Sequence, residues 1–327
     1  MTRPRVSVIT PAYNVAPYIG RCIESVQAQT LTDWEMVIVD DASTDDTVAV
    51  VERYLTDSRI KLLRNEQNMG AGYTRNRALE QAQGEWIAVL DSDDWYAPQR
   101  LERLVAFAQE MQADMVADLQ TYVTPAGKVF MVGWCVHGKT PRRPRYYTPE
   151  QVIRYHPSMK PLIRGDFIRQ KGIRYASHIR QSQDYAFYVE ILIKGARFAL
   201  LPEAMYFYQI RPQSITTDYG RNVAQFWLSC EYLCALPETT PAIRKTLLKS
   251  FRYRKSWMLY PAFANALKQR QWRRAFSLWR ESPLIFWHWL RQLPAALHRR
   301  LFAMEQMYDP WREASQPSPD TSPTSKC

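Results

Sequence analysis

This sequence predicts an α/β fold with a mostly parallel sheet, and three observations carry the prediction. Short β-branched runs alternate with helical stretches over the first 112 residues. The runs are nearly continuous in apolar residues, as strands covered on both faces should be. Three of them end in a polar or acidic cluster, and open α/β sheets bind ligands beyond the carboxyl ends of their strands. The chain has 327 residues, 46% of them hydrophobic, enough to bury a sizeable core in one large domain or two smaller ones.

Taken in order, VSVIT (6–10), EMVIVD (35–40), IKLLR (60–64) and WIAVLD (86–91) read as strands, with helical patterns around 17–29, 45–56, 72–83 and 98–112. This order puts Pro11-Ala12-Tyr13-Asn14, Asp40-Asp41 and Asp91-Ser92-Asp93-Asp94 on one edge of the sheet, facing one crevice. From about 113 to 218 the alternation is lost. Short strands, loops and a helix around 182–194 there suggest an α+β half built against the sheet. Residues 222–301 read as helices, and SQPSPDTSPTSKC (315–327) has the composition of a disordered tail.

Charge divides the chain more sharply than hydropathy does. The formal net charge is +11, yet residues 242–301 alone hold fourteen Lys or Arg against one acid, Glu281, so the remainder is close to neutral. Five of the eleven tryptophans fall in the same stretch: Trp257, Trp272, Trp279, Trp287 and Trp289. No apolar run approaches the roughly 20 residues of a membrane-spanning helix, and Met1 leads into strand-like sequence without an apolar leader. The five cysteines are odd in number and lack CxxC spacing, which predicts a reducing cytoplasm and neither a disulfide framework nor a zinc site.

The fourth strand ends in three carboxylates within four positions: Asp91, Asp93 and Asp94. Like charges this close repel, and burying them is costly unless something positive neutralises them. Acids at a strand end can hold a divalent cation, and Mg²⁺ or Mn²⁺ bound this way keeps several waters and takes further ligands from phosphates. The D-x-D pattern alone is weak, because Asp also starts turns and caps helices; Asp94 could cap the helix that begins near Pro98. In DDASTDDT (40–47), Ser43 to Asp46 read as helix-capping residues, which leaves Asp40 and Asp41 unexplained. A carboxylate at that mouth could accept a hydrogen bond from a base N–H.

The run VSVITPAYNVAPYIGRCIESVQAQTLTDWEMVIVDDASTDDT, followed by NMGAGYTRNRALEQAQGEWIAVLDSDDWYAPQRL, resembles the catalytic domain of the family 2 glycosyltransferases. The resemblance is nearly unbroken over residues 5–105 and continues weakly to about 217, with several independent motifs in order. It implies a GT-A fold, a nucleotide-sugar donor (most often a UDP-sugar), a divalent metal (Mn²⁺ or Mg²⁺) and inversion at the anomeric carbon. By position, it implies that Pro11, Tyr13 and Asn14 line the nucleotide pocket, Asp41 meets the base and Arg75 lies near the donor phosphates. Asp93 is then the direct metal ligand, with Asp91 the second member of the metal pair and a contact to donor ribose or sugar. The plainer alternatives are that Tyr13 packs on the sheet edge and that Arg75 is a solvated helix-face arginine.

Inverting transfer is a single displacement that needs a base for the acceptor hydroxyl. The family supplies it as a carboxylate near the start of a helix in the second half, and HIRQSQDYAFYVEILIKG (178–195) fits with Asp184. Phe187, Tyr188, Ile191 and Leu192 share its helical face, while Glu190 and Lys194 point elsewhere. An acid on an apolar face is out of place unless it lines a cavity, where partial burial raises its pKa. The alternative is an acid placed in the first turn by the helix dipole. Many relatives carry an acidic pair here, whereas this chain has Gln183-Asp184. Further on, RPQSIT (211–216) resembles the segment after the base, where Arg211 could reach the diphosphate.

In the basic arm, QWRRAFSLWRES (271–282) places Trp272, Ala275, Phe276 and Trp279 on one face and Arg273, Arg274 and Arg280 off it. LIFWHWLRQLPAALHRRL (284–301) repeats the pattern, with a kink expected at Pro294. Basic amphipathic helices with tryptophan on the apolar side suit an anionic membrane surface. The competing reading is that these faces pack on the catalytic domain. Nothing pairs the arm with a nucleic-acid module, so no nucleic-acid partner is expected.

The expected organisation is a catalytic domain over 1–218 (a nucleotide-binding half, 1–112, and an acceptor half, 113–218), a basic helical extension over 219–305 and a tail over 306–327. The expected acceptor is a saccharide or polyprenyl-linked saccharide in surface-polysaccharide assembly, met at the inner face of the plasma membrane. A haloacid-dehalogenase-type phosphatase would want Thr or Val two residues beyond the second Asp, where this chain has Trp95. A sugar nucleotidyltransferase needs a glycine-rich loop after the first strand, and TPAYNVAPYIG has no glycine before Gly20. A non-catalytic scaffold on the same fold is the remaining alternative, and the presence of Asp41, Asp93 and Asp184 argues against it.

Overall fold

A computed structural model describes residues 3–133, 141–155, 158–211 and 219–286. Its first half runs β1 (Val6–Ala12), α1 (Ala16–Gln27), β2 (Trp34–Asp40), α2 (Thr47–Glu52), β3 (Ile60–Arg64), α3 (Ala71–Gln81) and β4 (Trp86–Val89). These are the four strands and first three helices expected from the apolar runs. β5 (Trp95–Tyr96) and α4 (Arg100–Glu110) follow. Then come β6 (Met115–Val123), β7 (Val129–Gly133), β8 (Arg145–Tyr147), α5 (Pro149–Tyr155), β9 (Leu162–Arg164), α6 (Gly165–Lys171), α7 (Gln183–Ile193) and β10 (Phe198–Gln209). α8 (Tyr219–Ala235), α9 (Pro241–Lys268) and α10 (Trp272–Glu281) close the described chain.

The strands form one sheet in the order β3-β2-β1-β4-β9-β6-β10-β5, and its first four members are parallel. β9 runs antiparallel between β4 and β6, after which β6 and β10 pair in parallel. The chain order reverses at β1, which has β2 on one side and β4 on the other. That is the switch point where an α/β sheet opens a ligand crevice. Register sets its rim: Ala12 lies beside Asp40, and Ile9 beside Val89, so the chain after β4 leaves the sheet next to the last residues of β1.

Every residue of β1, β2 and β4 is buried, as their continuous hydrophobicity requires. Successive side chains point to opposite faces. Val8, Ile38 and Ala88 therefore join one core with Ile19 and Ile23 of α1 and Leu101 and Leu104 of α4. Ile9, Val39 and Val89 join the other, with Ala78 of α3 and the apolar side chains of α7.

The second half differs most from its local sequence. α7 is not amphipathic: of its eleven residues only Asp184 is not buried. It is enclosed in the core that also takes Phe226, Cys230 and Leu233 from α8 and Ile243 and Leu247 from α9. Glu190, expected off the face that Asp184 shares, is buried and held by the Tyr232 hydroxyl at 2.6 Å and Lys194 at 3.1 Å. The basic extension thus has two parts. Its first half completes the main core. The end of α9 and α10 form a small core of their own, from Phe263, Ala266, Ala275 and Ile285. No described helix is long and apolar enough to cross a membrane. The expected helix beyond Phe286, its kink at Pro294 and the tail lie outside the described residues.

Candidate active site

The loops after β1 and β2 are laced together before any ligand is considered. Asn14, at φ 50°, accepts Thr44 N at its Oδ1 at 2.8 Å, and its own backbone N–H donates to Ser43 Oγ at 3.0 Å. Asp45, one of the expected capping residues, takes Thr47 N at 3.0 Å and Ala16 N at 3.1 Å. Pro11 is buried at the end of β1, and Tyr13 stands 46% exposed at the mouth, so it does not pack on the sheet edge. Asp40 is buried and accepts Ser43 N at 3.1 Å. Asp41 is buried too, and its carboxylate holds the loop before α3: Oδ1 accepts Asn65 Nδ2 at 2.6 Å and Met69 N at 2.9 Å, and Oδ2 accepts Gly70 N at 2.8 Å. That structural duty is not visible in the sequence.

The three acids after β4 have three different environments. Asp91 is paired at both oxygens, with Arg75 Nη2 at 2.7 Å on Oδ1 and Lys160 Nζ at 2.5 Å on Oδ2. Burial alone would raise its pKa; the two cations, Lys160 foremost, overcome that and hold it well below the usual carboxylate range. Asp93 pairs with Arg211 Nε at 2.6 Å, yet burial and the Asp91 charge still leave its pKa raised. Asp94 caps no helix. It is buried, accepting the Tyr206 hydroxyl at 2.6 Å and Gln209 N at 2.8 Å, and so ties the acidic loop to β10. Burial, then Asp93 and Asp91, push its pKa well above the ordinary value. α4 starts later, at Arg100, and its N-cap Gln99 makes no side-chain cap.

Asp184, the first-turn acid of α7, reaches the same cluster. Its Oδ2 is 2.5 Å from Lys160 Nζ and its Oδ1 is 3.4 Å from Arg75 Nη1, an ion pair without hydrogen-bond geometry, so Oδ1 has no hydrogen-bond donor. Its surroundings are therefore two cations, not the apolar cavity inferred from its helical face. Arg75, far from being solvated, is buried among Asp91, Asp184 and the Tyr175 ring, whose centroid is 5.4 Å from its Cζ. Sequence reasoning missed Lys160, which lies in no motif, and Tyr206, whose strand has no clean alternation.

This donor set fits one hard divalent cation only in part. Asp93 offers a carboxylate with one oxygen outside its ion pair. Each Asp91 oxygen already meets one cation, so a metal ion there would share the carboxylate with Arg75 and Lys160. Among the described residues no group of three or more His, Cys, Asp or Glu converges as a protein-only cage. That suits Mg²⁺ or Mn²⁺ held by one or two carboxylates together with substrate phosphates.

Residues 7–173 match the model of glycosyl transferase family 2. The chain belongs to that family. It is a glycosyltransferase, and its mixed α/β architecture is that of the GT-A enzymes. The transferase is 34% identical over 219 residues to the succinoglycan biosynthesis protein ExoO of Rhizobium meliloti, an alignment covering 65% of this chain and 63% of ExoO. It is 32% identical over 231 residues to TuaG of Bacillus subtilis, a glycosyltransferase named for teichuronic acid biosynthesis, covering 69% and 86%. Among solved structures it resembles S. aureus TarS 1–349 in complex with UDP-GlcNAc, with a TM-score of 0.65 at 23% identity over 84% of this chain and 79% of that one. It also resembles the mannosyltransferase PcManGT of Pyrobaculum calidifontis, with a TM-score of 0.59 at 21% identity over 93% and 89%.

Proposed function

We propose that the transferase moves a sugar from a nucleotide-sugar donor, a UDP-sugar, to a hydroxyl of a glycan or lipid-linked saccharide, with inversion and with Asp184 as general base. One observation carries this reading: Asp184 is the single residue of α7 that is not buried, and it meets the strand-end acids across the crevice. In the reaction, Asp184 takes the proton of the acceptor hydroxyl as the hydroxyl oxygen bonds the anomeric carbon. The bond from the anomeric carbon to the diphosphate breaks, and its electron pair leaves with the nucleoside diphosphate. Arg75 and Arg211 supply positive charge toward the departing group. A divalent cation held by Asp93 and the donor phosphates would add Lewis-acid neutralisation of that group.

Pro11, Tyr13 and Asn14 border the nucleoside, and Asp41, with one lone pair left on Oδ2, meets the base. The neighbours' ligands support a nucleotide-sugar donor: TarS 1–349 is described in complex with UDP and with UDP-GlcNAc, and PcManGT with GDP-Man and Mn²⁺. The names of ExoO and TuaG support a place in surface-polysaccharide assembly.

The far end of the basic extension supports a peripheral site at the inner face of the plasma membrane, touching anionic lipid through part of residues 242–301. There Trp272 and Phe276, 64% and 60% exposed, stand with Trp279 and Phe286 around an open apolar hollow. Lys268, Arg270, Arg273, Arg274 and Arg280 are exposed on the same unit. Cys22, Cys230 and Cys234 are free thiols, consistent with a cytoplasmic setting.

Calorimetric titration of UDP, with and without Mn²⁺, into the native protein and Asp93→Ala tests the donor site. Binding that needs Mn²⁺ and is lost in the variant is expected. No binding of UDP by the folded native protein would remove the uridine assignment, and GDP and dTDP would be titrated next.

A further inference from the structure

Lys160 lies in the loop before β9, in none of the motifs that carry the family resemblance, with its side chain 7% exposed. Its Nζ is 2.5 Å from Asp91 Oδ2 and 2.5 Å from Asp184 Oδ2. We propose that Lys160 is a positioning residue for the transfer: one buried ammonium that fixes the carboxylate of α7 against the strand-end carboxylate of β4, and so sets the base relative to the donor. The proposal rests on Asp184 being the base.

The geometry around Lys160 is a closed ring of alternating charge. Arg75 approaches both acids at their Oδ1 atoms, and Lys160 approaches both at their Oδ2 atoms. The two cations are not equivalent. Arg75 is tight on Asp91, at 2.7 Å, and loose on Asp184, at 3.4 Å. The contact that sets where Asp184 points is therefore the one from Lys160. A buried ammonium needs close anionic partners to offset its desolvation, and a purely local role would require one. Lys160 has two, on elements 69 residues before it and 24 after it in the chain.

The backbone beneath the ammonium is pinned from the far side. Arg100, fully buried, donates from Nη2 to the Lys160 carbonyl at 2.5 Å and to Asp118 Oδ1 at 2.7 Å. Asp118 Oδ2 also accepts Met205 N on β10 at 3.2 Å. The position of Nζ thus follows from α4, β6 and β10, three elements that carry none of the proposed donor-site residues. A base must sit within a narrow range of its proton, and an error of about 1 Å can cost on the order of 10²-fold in rate.

The test measures UDP release by native protein, Lys160→Met, Lys160→Arg and Asp184→Asn. The donor is whichever of UDP-glucose, UDP-galactose, UDP-GlcNAc and UDP-GalNAc the native enzyme turns over. Calorimetric UDP affinity and thermal midpoints are taken on the same samples. Lys160→Met is expected to lose about 10²-fold in kcat while UDP affinity stays within about threefold, and Lys160→Arg to recover part of the loss. Turnover by Lys160→Met within about threefold of native, with Asp184→Asn inactive, overturns the role of Lys160 and leaves the base standing. Turnover by Asp184→Asn at the native rate removes the base reading and this proposal with it. If Lys160→Met does not fold, the charge-balanced pair Lys160→Met/Asp184→Asn is compared with Asp184→Asn alone. Equal residual turnover is expected if Lys160 acts through that carboxylate, and a further fall overturns the proposal.

Discussion

The crevice and the end of the basic extension break opposite rules of protein architecture. In the crevice, charge is inside: Asp91, Lys160, Arg75 and Asp184 sit at the seam of a fully packed sheet, each paired with an opposite charge. On α10, oil is outside: Trp272 and Phe276 face solvent with arginines beside them, over a core of only a few side chains. Burying two cations beside two partly covered carboxylates is expensive, and an exposed aromatic patch forgoes the gain of burial. The difference teaches where each cost is offset. The ring of charges is closed by the protein itself, so it fixes geometry. The apolar hollow is not closed by the described residues, and the lipid surface proposed above would cover it.

The largest expected effect breaks the first half of that contrast. Asp184→Asn keeps the shape of the ring and removes the base, so kcat is expected to fall by about 10²–10⁴-fold with UDP affinity retained. Steady-state UDP release and calorimetry on one preparation check this, and a variant within about tenfold of native would mean the ring is structural. The second half is tested by Trp272→Ala and Phe276→Ala with vesicles of anionic phospholipid. Each is expected to weaken cosedimentation by about tenfold, given about 1.5–3 kcal/mol for a large buried apolar side chain, with little change in thermal midpoint. Added salt should weaken binding further by screening the arginines. Equal binding by the native protein and both variants would remove the lipid surface as the partner.

The smallest effect comes from a buried acid that serves structure alone. Glu35 on β2 accepts from Ser7 Oγ at 2.5 Å, Gln83 N at 2.7 Å and Lys61 Nζ at 2.8 Å. Burial alone would raise its pKa, but these three donors bring it below the ordinary value of 4.5. A depressed folded pKa means that the stabilisation is fully present above the unfolded value and is lost as pH falls through the folded one. Glu35→Gln is therefore expected to cost about 1–3 kcal/mol at pH 7, and the gap to native should narrow below about pH 4. Denaturant midpoints of both proteins at the two pH values check it. A gap independent of pH would mean that its charge contributes nothing.

Much of this was legible in the chain, and the limit has a physical cause. β1 to β4 could be read because parallel strands buried on both faces must be continuously apolar, and that constraint is local. Asp91 and Asp93 were legible because a strand end is a fixed place in such a sheet, and Asp184 through its position in a resembling helix. The sequence could not say what neutralises the acids. Lys160 lies 69 residues from one partner and 24 from the other, in a stretch with no pattern. The surroundings of α7 were misread for the same reason: its cover comes from α8 and α9, and a helix buried on all sides carries no period to distinguish a polar face. Asp94 looked like a cap because caps are local, and became a tie to β10 because its partners, Tyr206 and Gln209, come from more than a hundred residues away. Local patterns determined the strands, the strand-end acids and the basic arm. Which charges meet, and which aromatic surface stays open, was decided by long-range packing, because pairing across a crevice leaves no trace in the spacing of neighbours along the chain.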